Sequence, residues 1–383
     1  MEICRHDEVC GGCIYQGVAY KEQLEIKNNE VIKALEKWEI SYDTLLDIEP
    51  TPNQYRYRNK MEYTFGDLVK DGEMTLGMHK KKQFMSIITV DHCQLVHEDF
   101  NTILTGVLTF AKEKGYPFYH KKSHTGLLRN LIVRKGERTN EILVNIVTSS
   151  QLQFDEAAFV KYLQGLTLEN TLVGVLRTVN DQLSDAVYCD ELRVLYGQDF
   201  YMEKIMDLDF KVSAFSFFQT NVVAAEHLYK YALSLMEDFS GKLVFDLFCG
   251  TGTITQTLAY KAKHVVGIEI VEEAVEAARV NAELNNLNNC TFIAGDVFKA
   301  LDQVIEKPDV IVVDPPRVGI QKKALDKILA YDVKQILYIS CNPKTLAENL
   351  SQMELAGYKL KSIKAFDNFA NTKHTECVCL LER

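Results

Sequence analysis

The sequence has no unbroken apolar run long enough to cross a bilayer, so no membrane-spanning helix and no membrane partner is expected. Its first residues, MEICRHDEVC, are polar and acidic, without the basic stretch and apolar core of a secretory leader. Internal repeats and low-complexity segments are missing as well. Excess positive charge is also lacking: the net charge of −10 argues against a protein that coats nucleic acid indiscriminately.

What is present fits a folded protein of more than one domain. The chain has 383 residues, 47% of them apolar and 25% charged, which suits two or three globular domains. Ten cysteines without a secretion signal point to a reducing cytoplasm, where thiols serve as metal ligands, nucleophiles or core. A cytoplasmic location is therefore expected, and no obligate protein partner is evident. Charge is segregated. Between Thr51 and Asn140 stand 15 Lys and Arg against 9 Asp and Glu, a local +6 that leaves −16 elsewhere. One basic module on an acidic body suits a protein with a single polyanion-facing surface.

The pattern of periodicity changes twice along the chain. Residues 1–50 hold a cysteine cluster and then an amphipathic stretch, AYKEQLEIKNNEVIKALEKW, with apolar residues at helical spacing. Residues 51–210 read as strands (RYRNKMEYTFGD, FMSIITVDH, NLIVRKG, EILVNIVTS, TLVGVLRTV), with helical segments near 98–114 and 154–164. That pattern predicts a small antiparallel α+β domain. In residues 211–383 short apolar strands (LVFDLFCG, VVGIEI, CTFIAGD, DVIVVDPP, QILYIS) alternate with helices, the mark of a parallel α/β sheet. KHTECVCLLER is a last strand that could close the sheet's edge.

Three strand ends form one set. FDLFCGTGTIT places Gly250 and Gly252 at a strand-to-helix turn, where missing side chains let a ligand approach the backbone. Glu269 ends the next strand, about 20 residues on, where a carboxylate accepts hydrogen bonds from ribose hydroxyls. Asp296 ends a further strand, where an acid can meet an adenine amino group. Acids at successive strand ends suit S-adenosylmethionine better than a dinucleotide.

VVDPPRVGI follows an apolar strand with two prolines, which stop the ladder and project Asp314 at the carboxyl edge. Adenine-N6 methyltransferases carry an aromatic after this Pro-Pro, and cytosine-C5 enzymes a cysteine; Arg317 stands here. An Asp can accept the imide N–H that distinguishes uracil from cytosine. YISCNPKT then ends the following strand with Cys341, and the last strand adds Glu376. A thiol with a carboxylate base suits methylation of pyrimidine C5, through thiolate addition at C6 and later removal of the C5 proton. The site must lower the pKa of Cys341 for this, and the sequence does not show how.

CRHDEVCGGC sets Cys4, Cys10 and Cys13 in a C-x5-C-x2-C cluster, with Cys93 in DHCQLV as a distant fourth thiol. By spacing alone, a four-thiolate iron–sulfur cluster and a four-cysteine zinc site stand level. QYRYRNK, HKKKQF and FYHKKSHTGLLRN mix aromatics with cations, as RNA-binding surfaces do.

Together, CGGC with DHC, YRNK, SFFQTN, DLFCGTGT, DPPR, SCNPKT and HTE resemble the RNA 5-methyluridine methyltransferases from Cys4 to Glu376. The resemblance implies a Rossmann-like class I methyltransferase domain preceded by a smaller α+β RNA-binding domain. It implies Cys341 as nucleophile and Glu376 as general base. S-adenosylmethionine would be lined by Gln219, Phe248, Thr253, Glu269 and Asp296, with Asp314 between cofactor and uracil. It makes Cys4, Cys10, Cys13 and Cys93 the ligands of a 4Fe–4S cluster and so favours iron–sulfur over zinc. Many relatives begin with a TRAM domain; with the cluster starting at Cys4, a member without one is expected, its RNA affinity resting on the central module and the cluster region. Thr253 stands where members often carry Asn. The implied substrate is 23S rRNA, with the tRNA T-loop as the alternative. An RNA cytosine-C5 methyltransferase and a non-catalytic RNA-binding protein are the remaining rivals.

Overall fold

The computed structural model describes residues 3–184 and 186–383. No helix among them is long and apolar enough to cross a membrane. The chain divides into two compact units, and neither is one continuous stretch. The first holds residues up to Gly17, Gln54–Lys204 and Lys211–Phe215; the second holds Val18–Asn53, Ile205–Phe210 and Ser216–Arg383. Divisions at 1–50, 51–210 and 211–383 are thus redrawn: the cysteine loop and the helix of the opening stretch (whose first two residues lie outside those described) go to different units. Helical spacing shows that a segment is amphipathic, but not which sheet it will cover.

Helix α1 (Tyr20–Lys37) and strand β1 (Tyr42–Glu49) come first and belong to the second unit. The first unit then runs β2 (Lys60–Asp67), β3 (Met74–Lys80), β4 (Gln83–Thr89), α2 (Glu98–Glu113), β5 (Leu128–Lys135), β6 (Glu141–Thr148), α3 (Glu156–Gln164), β7 (Thr171–Val179) and β8 (Glu191–Gly197). These strands form one sheet in the order β4-β3-β2-β5-β6-β7-β8. It is antiparallel as predicted except at β6–β7, which pair in parallel because α3 carries the chain back to the starting end. Both predicted helices form. His97 and Asp155 cap them, their side chains accepting from the backbone N–H of Asp99 and Ala158. Phe100, Ile103, Leu104 and Val107 of α2 pack with Tyr63, Leu76, Leu131 and Val144 of the sheet in one core.

After a hairpin, β9 (Phe200–Ile205) and β10 (Leu208–Ser213), the second unit continues as α4 (Val222–Leu235), β11 (Leu243–Leu247), α5 (Thr253–Ala259), β12 (His264–Glu269), α6 (Glu272–Leu284), β13 (Cys290–Ala294), α7 (Val297–Ala300), β14 (Val310–Val313), α8 (Lys322–Leu329), β15 (Gln335–Ser340), α9 (Pro343–Leu355), β16 (Lys359–Phe366) and β17 (Glu376–Glu382). Its sheet has the order β1-β16-β17-β15-β14-β11-β12-β13. The strands from β11 to β15 pair in parallel. Strand order reverses at β11, which lies between β12 and β14, and open α/β sheets bind ligands at such a switch point. The last strand does not close an edge. β17 inserts antiparallel between β15 and β16, and β1 takes the edge beyond β16. Cys377, Val378, Cys379 and Leu381 are accordingly buried.

One polar clasp bears on the site. The segment between β16 and β17 is tied to α1 by a fully buried ion pair, Lys27 with Asp367. Tyr20 Oη also donates to Asp367 (2.8 Å), and Gln23 exchanges hydrogen bonds with Asn371 (3.1 and 2.9 Å). Asn221, which caps α4, donates to the Asn368 carbonyl at 2.7 Å. These bonds fix the approach to Glu376, so the amphipathic stretch is polar where it meets this segment and apolar at Val31, Ala34 and Leu35.

Candidate active site

At the carboxyl edge of β11, β12 and β13 the expected cofactor residues come together. Glu269 is the last residue of β12; its Oε2 accepts from Gly250 N (3.1 Å) and its Oε1 from Val271 N (3.0 Å). Gly250 has φ +54°, and a side chain there would meet nothing within 4 Å, so the turn leaves open space over its backbone. Gly252 is glycine for a different reason. At φ +76° a Cβ would come within 2.8 Å of Phe292 and 3.0 Å of Ala278. Phe248 starts the turn with φ +67°, and Thr253 is buried at the start of α5. Asp296 is exposed just after β13 with no side-chain cap bond. An open glycine turn beside strand-end acids fits a nucleoside cofactor.

Register places the residues expected to react. Ser340 pairs with Cys377 across β15 and β17, so the next rung carries Cys341 beside Glu376. Asp314 follows β14, the neighbour of β15 on its other side. The Cys341 turn is built locally: Asn342 caps α9 with Pro343 in its first turn, and Asn342 Nδ2 donates to the Arg317 carbonyl at 2.8 Å. Thr345 Oγ1 reaches the same carbonyl at 3.1 Å. Asn349 holds the other end of the DPPR loop, accepting from Ile320 N (2.8 Å) and donating to its carbonyl (2.9 Å).

The electrostatics differ from expectation at Cys341. Burial, with Glu376 and Asp314 nearby, pushes its thiol up to about 11, and only Arg317 acts appreciably in the other direction among the side chains. The protein's own groups therefore hold the sulfur protonated until further positive charge arrives. Burial raises Glu376 to about 7, against the pull of Arg317, which suits a base working near neutrality. Burial and the like charges of Glu376 and Asp246 drive Asp314 well above the usual carboxylate range. Asp314 is thereby easier to protonate; protonated it offers both an O–H donor and a carbonyl acceptor, whereas ionised it is the acceptor of an imide N–H that the sequence suggested.

Three groups here, Asp246, Arg317 and Tyr229, were not picked out as site residues. Asp246, buried in β11, accepts from Thr255 Oγ1 at 2.5 Å and is pushed up to about 7 by burial. Its signal was an acid inside the apolar run of FDLF. Arg317 lies 3.3 Å from the His374 ring, where half-buried His374 and exposed Arg317 make a polar rim. Gln219 is half-buried, and its Nε2 donates to the hydroxyl of Tyr229 on α4 at 2.9 Å. Nothing in the sequence singled out Tyr229, since it lies in the ordinary apolar face of a helix.

In the first unit Cys4, Cys10, Cys13 and Cys93 are free and half-buried. Burial raises the thiols of Cys10, Cys13 and Cys93, and Cys13 also feels the other three. The strand-like contact of Cys10 with Lys80, Gly11 N to the His79 carbonyl (3.2 Å) and Lys81 N to the Val9 carbonyl (2.8 Å) dock the cysteine loop on the β3–β4 hairpin. Asn101 of α2 holds Cys93, accepting from its backbone N–H at 2.9 Å. Among the described residues no group of three or more His, Cys, Asp or Glu is close enough to hold a metal ion, so the structure by itself does not establish the expected metal site.

The basic motifs divide into two groups. Arg129 is buried, donating to the carbonyls of Asn180 (2.9 Å), Gln182 (2.7 Å) and Ser184 (2.6 Å), so it is not free to meet phosphate. HKKKQF and FYHKK instead meet in space: Phe84 stacks on His79 (4.6 Å), and Lys121 Nζ lies 4.7 Å from the Phe84 ring.

Known proteins give this geometry a context. The profile of the family described as tRNA (Uracil-5-)-methyltransferase matches residues 19–383. An uncharacterized RNA methyltransferase from Clostridium tetani is 48% identical over 374 residues, 98% of this chain and 82% of the relative. One from Caldanaerobacter subterraneus is 48% identical over 380 residues, 99% of this chain and 84% of the relative. Among solved structures, the Pyrococcus abyssi tRNA (uracil-54, C5)-methyltransferase in complex with S-adenosyl-L-homocysteine is similar with a TM-score of 0.80 and 27% identity, over 97% of this chain and 86% of that one. On this profile and these relatives, the chain belongs to the tRNA (uracil-5-)-methyltransferase family and is an S-adenosylmethionine-dependent RNA methyltransferase.

Proposed function

We propose that the protein methylates C5 of uridine in structured RNA, 23S rRNA in the first instance, with Cys341 as nucleophile and Glu376 as general base. The observation that carries this reading is the adjacency of Cys341 and Glu376 on neighbouring strands, with Asp314 following the next strand over. Uracil C5 has little nucleophilicity of its own. The Cys341 thiol gives up its proton to solvent as its sulfur bonds to C6, and the C5–C6 electron pair passes to C5 and O4, so that C5 becomes reactive. S-adenosylmethionine, when bound, supplies the methyl group and a positive sulfonium charge in a site that otherwise disfavours the thiolate. Asp314, as a neutral acid, donates to the oxygen on which charge accumulates. Glu376 then takes the C5 proton, the electron pair reforms the double bond, and the Cys341 sulfur leaves. Gln219, Phe248, Gly250, Thr253, Glu269 and Asp296 would hold the cofactor. The target nucleotide has to leave any helical stack first, and ribosomal and transfer RNA loops make that less costly than a duplex.

A 4Fe–4S cluster on Cys4, Cys10, Cys13 and Cys93 belongs to the same reading. Its support is a donor set of four free thiols from two segments, each within electrostatic range of the others. Such a cluster spreads its four thiolates further apart than one ion does, so the lack of a single-ion site does not count against it. A second substrate reading, the tRNA T-loop, is favoured by the likeness to the Pyrococcus abyssi tRNA enzyme. Mapping 5-methyluridine in separated ribosomal and transfer RNA from cells with and without the gene tests both. Loss of a 23S rRNA site is expected. Loss confined to tRNA would assign the second substrate, and no loss of 5-methyluridine anywhere would refute uridine methylation.

A further inference from the structure

Glu376 owes its place to the backbone. Among the described residues no hydrogen bond or ion pair holds its carboxyl. It is the first residue of β17 and pairs with Phe366, the last residue of β16. Residues 367–375 therefore leave the sheet and return to it at the rung that carries Glu376, and they form no helix or strand of their own. A loop that closes on a general base needs another part of the chain to hold it, since a misplacement of about 1 Å can cost ~100-fold in rate.

Helix α1 supplies the hold, and a chain of hydrogen bonds runs from it almost to Glu376. Lys27 Nζ forms the buried ion pair with Asp367 and donates to the Phe369 carbonyl at 3.1 Å. Asp367 also accepts from Phe369 N (3.2 Å) and from Tyr20 Oη (2.8 Å). Thr372 Oγ1 donates to the same Phe369 carbonyl at 2.8 Å and accepts from His374 N at 3.2 Å. His374 stands two residues before Glu376. Lys27, Asp367 and Thr372 are all buried, so water competes little for these bonds. A buried ion pair is often no more stabilising than apolar residues of similar size. What the charges add here is direction: Nζ serves two oxygens of the loop at once, and Asp367 serves three donors.

We infer that Lys27, Asp367 and Thr372 are positioning residues that hold the 367–375 loop and, through it, set the Glu376 carboxyl where it takes the C5 proton. This rests on Glu376 as general base in the uridine reading above, and it makes α1, remote in sequence, part of the last chemical step. Addition of the Cys341 sulfur and transfer of the methyl group come before proton removal. Loosening the loop therefore leaves RNA binding, S-adenosylmethionine binding and adduct formation in place. It slows only the step in which the C5 proton passes to Glu376, the C5–C6 double bond reforms and the sulfur leaves.

Two variants test this. Lys27→Met with Asp367→Leu replaces the ion pair by apolar side chains, which a buried site tolerates far better than the loss of one partner. Thr372→Val removes only the hydroxyl that links the Phe369 carbonyl to His374 N and leaves the ion pair in place. Each is compared with wild type on a transcript that the wild-type enzyme methylates, alone and combined with Glu376→Gln. The paired variant is expected to lower kcat roughly 10- to 100-fold with KM for RNA within about twofold, and to accumulate the methylated RNA–protein adduct on a denaturing gel. Thr372→Val should do the same severalfold. Neither should lower turnover further once Glu376 is glutamine, since a residue acting through Glu376 then has nothing left to position. Wild-type kcat in a folded paired variant, a loss that persists undiminished in the Glu376→Gln background, or lost methyl transfer without adduct would each overturn the positioning role. Where the paired variant does not fold, the same outcomes in Thr372→Val decide. A wild-type enzyme that forms no 5-methyluridine would instead overturn the uridine reading, and full turnover by Glu376→Gln would overturn Glu376 as the base.

Discussion

In the second unit the proposed reacting groups are placed by a sheet, whereas in the first unit the candidate ligands and cations lie on loops and a hairpin end. Cys341 and Glu376 are 35 residues apart in the chain yet adjacent through the β15–β17 ladder, flanked by strands on both sides. Cys4, Cys10, Cys13 and Cys93 depend on a few backbone bonds to the β3–β4 hairpin and on Asn101. A ladder holds its end residues without needing a ligand. Thiols such as Cys10, Cys13 and Cys93, raised by burial, gain most from something that binds the thiolates.

If that contrast is right, damage to the second unit abolishes chemistry and damage to the first weakens RNA capture. Cys341→Ala should lower methylation by about 10⁴-fold or more, as loss of a nucleophile does. RNA containing 5-fluorouridine should form a covalent adduct with wild type and none with this variant, and an adduct formed by Cys341→Ala would move the nucleophile elsewhere. Glu376→Gln should cost roughly 10²- to 10⁴-fold in turnover and accumulate the adduct. The pH dependence follows from the same residue. Glu376 acts only when ionised, so wild-type turnover should rise with pH through about 7, and that limb should vanish in Glu376→Gln. A limb that persists in the variant would belong to another group.

Smaller effects are expected in the first unit. Cys93→Ser should remove the brown colour and most of the iron from anaerobically purified protein and weaken RNA binding about 10-fold, leaving S-adenosylmethionine binding intact. A colourless wild-type protein with stoichiometric zinc would replace the cluster with zinc. Lys121→Ala should weaken RNA binding severalfold and reduce the slope of log affinity against log salt by about 1. An unchanged slope would show that Lys121, although placed over Phe84, meets no phosphate.

Much of this site was legible because its residues stand where strands end. Prolines stop β14 at Asp314, Asn342-Pro343 stops β15 at Cys341, and glycines mark the turn after β11, all punctuation carried by local chemistry. The clasp between α1 and residues 367–371 was not legible, because a lysine on a helix reads as solvent-facing until a distant aspartate buries it. Arg129 misled for the same reason, its charge being spent on the three carbonyls of 180–184.

By itself, then, the sequence determined the class of sheet, the strand-end motifs and the kind of chemistry, since apolar periodicity and turn residues act over a few positions. Only the tertiary structure decided that the last strand is interior, that α1 belongs to the second unit, that burial raises the Cys341 thiol and that Tyr229 meets Gln219. Those outcomes depend on burial and on contacts between residues far apart in the chain, where desolvation and neighbouring charge, not local spacing, set the energy.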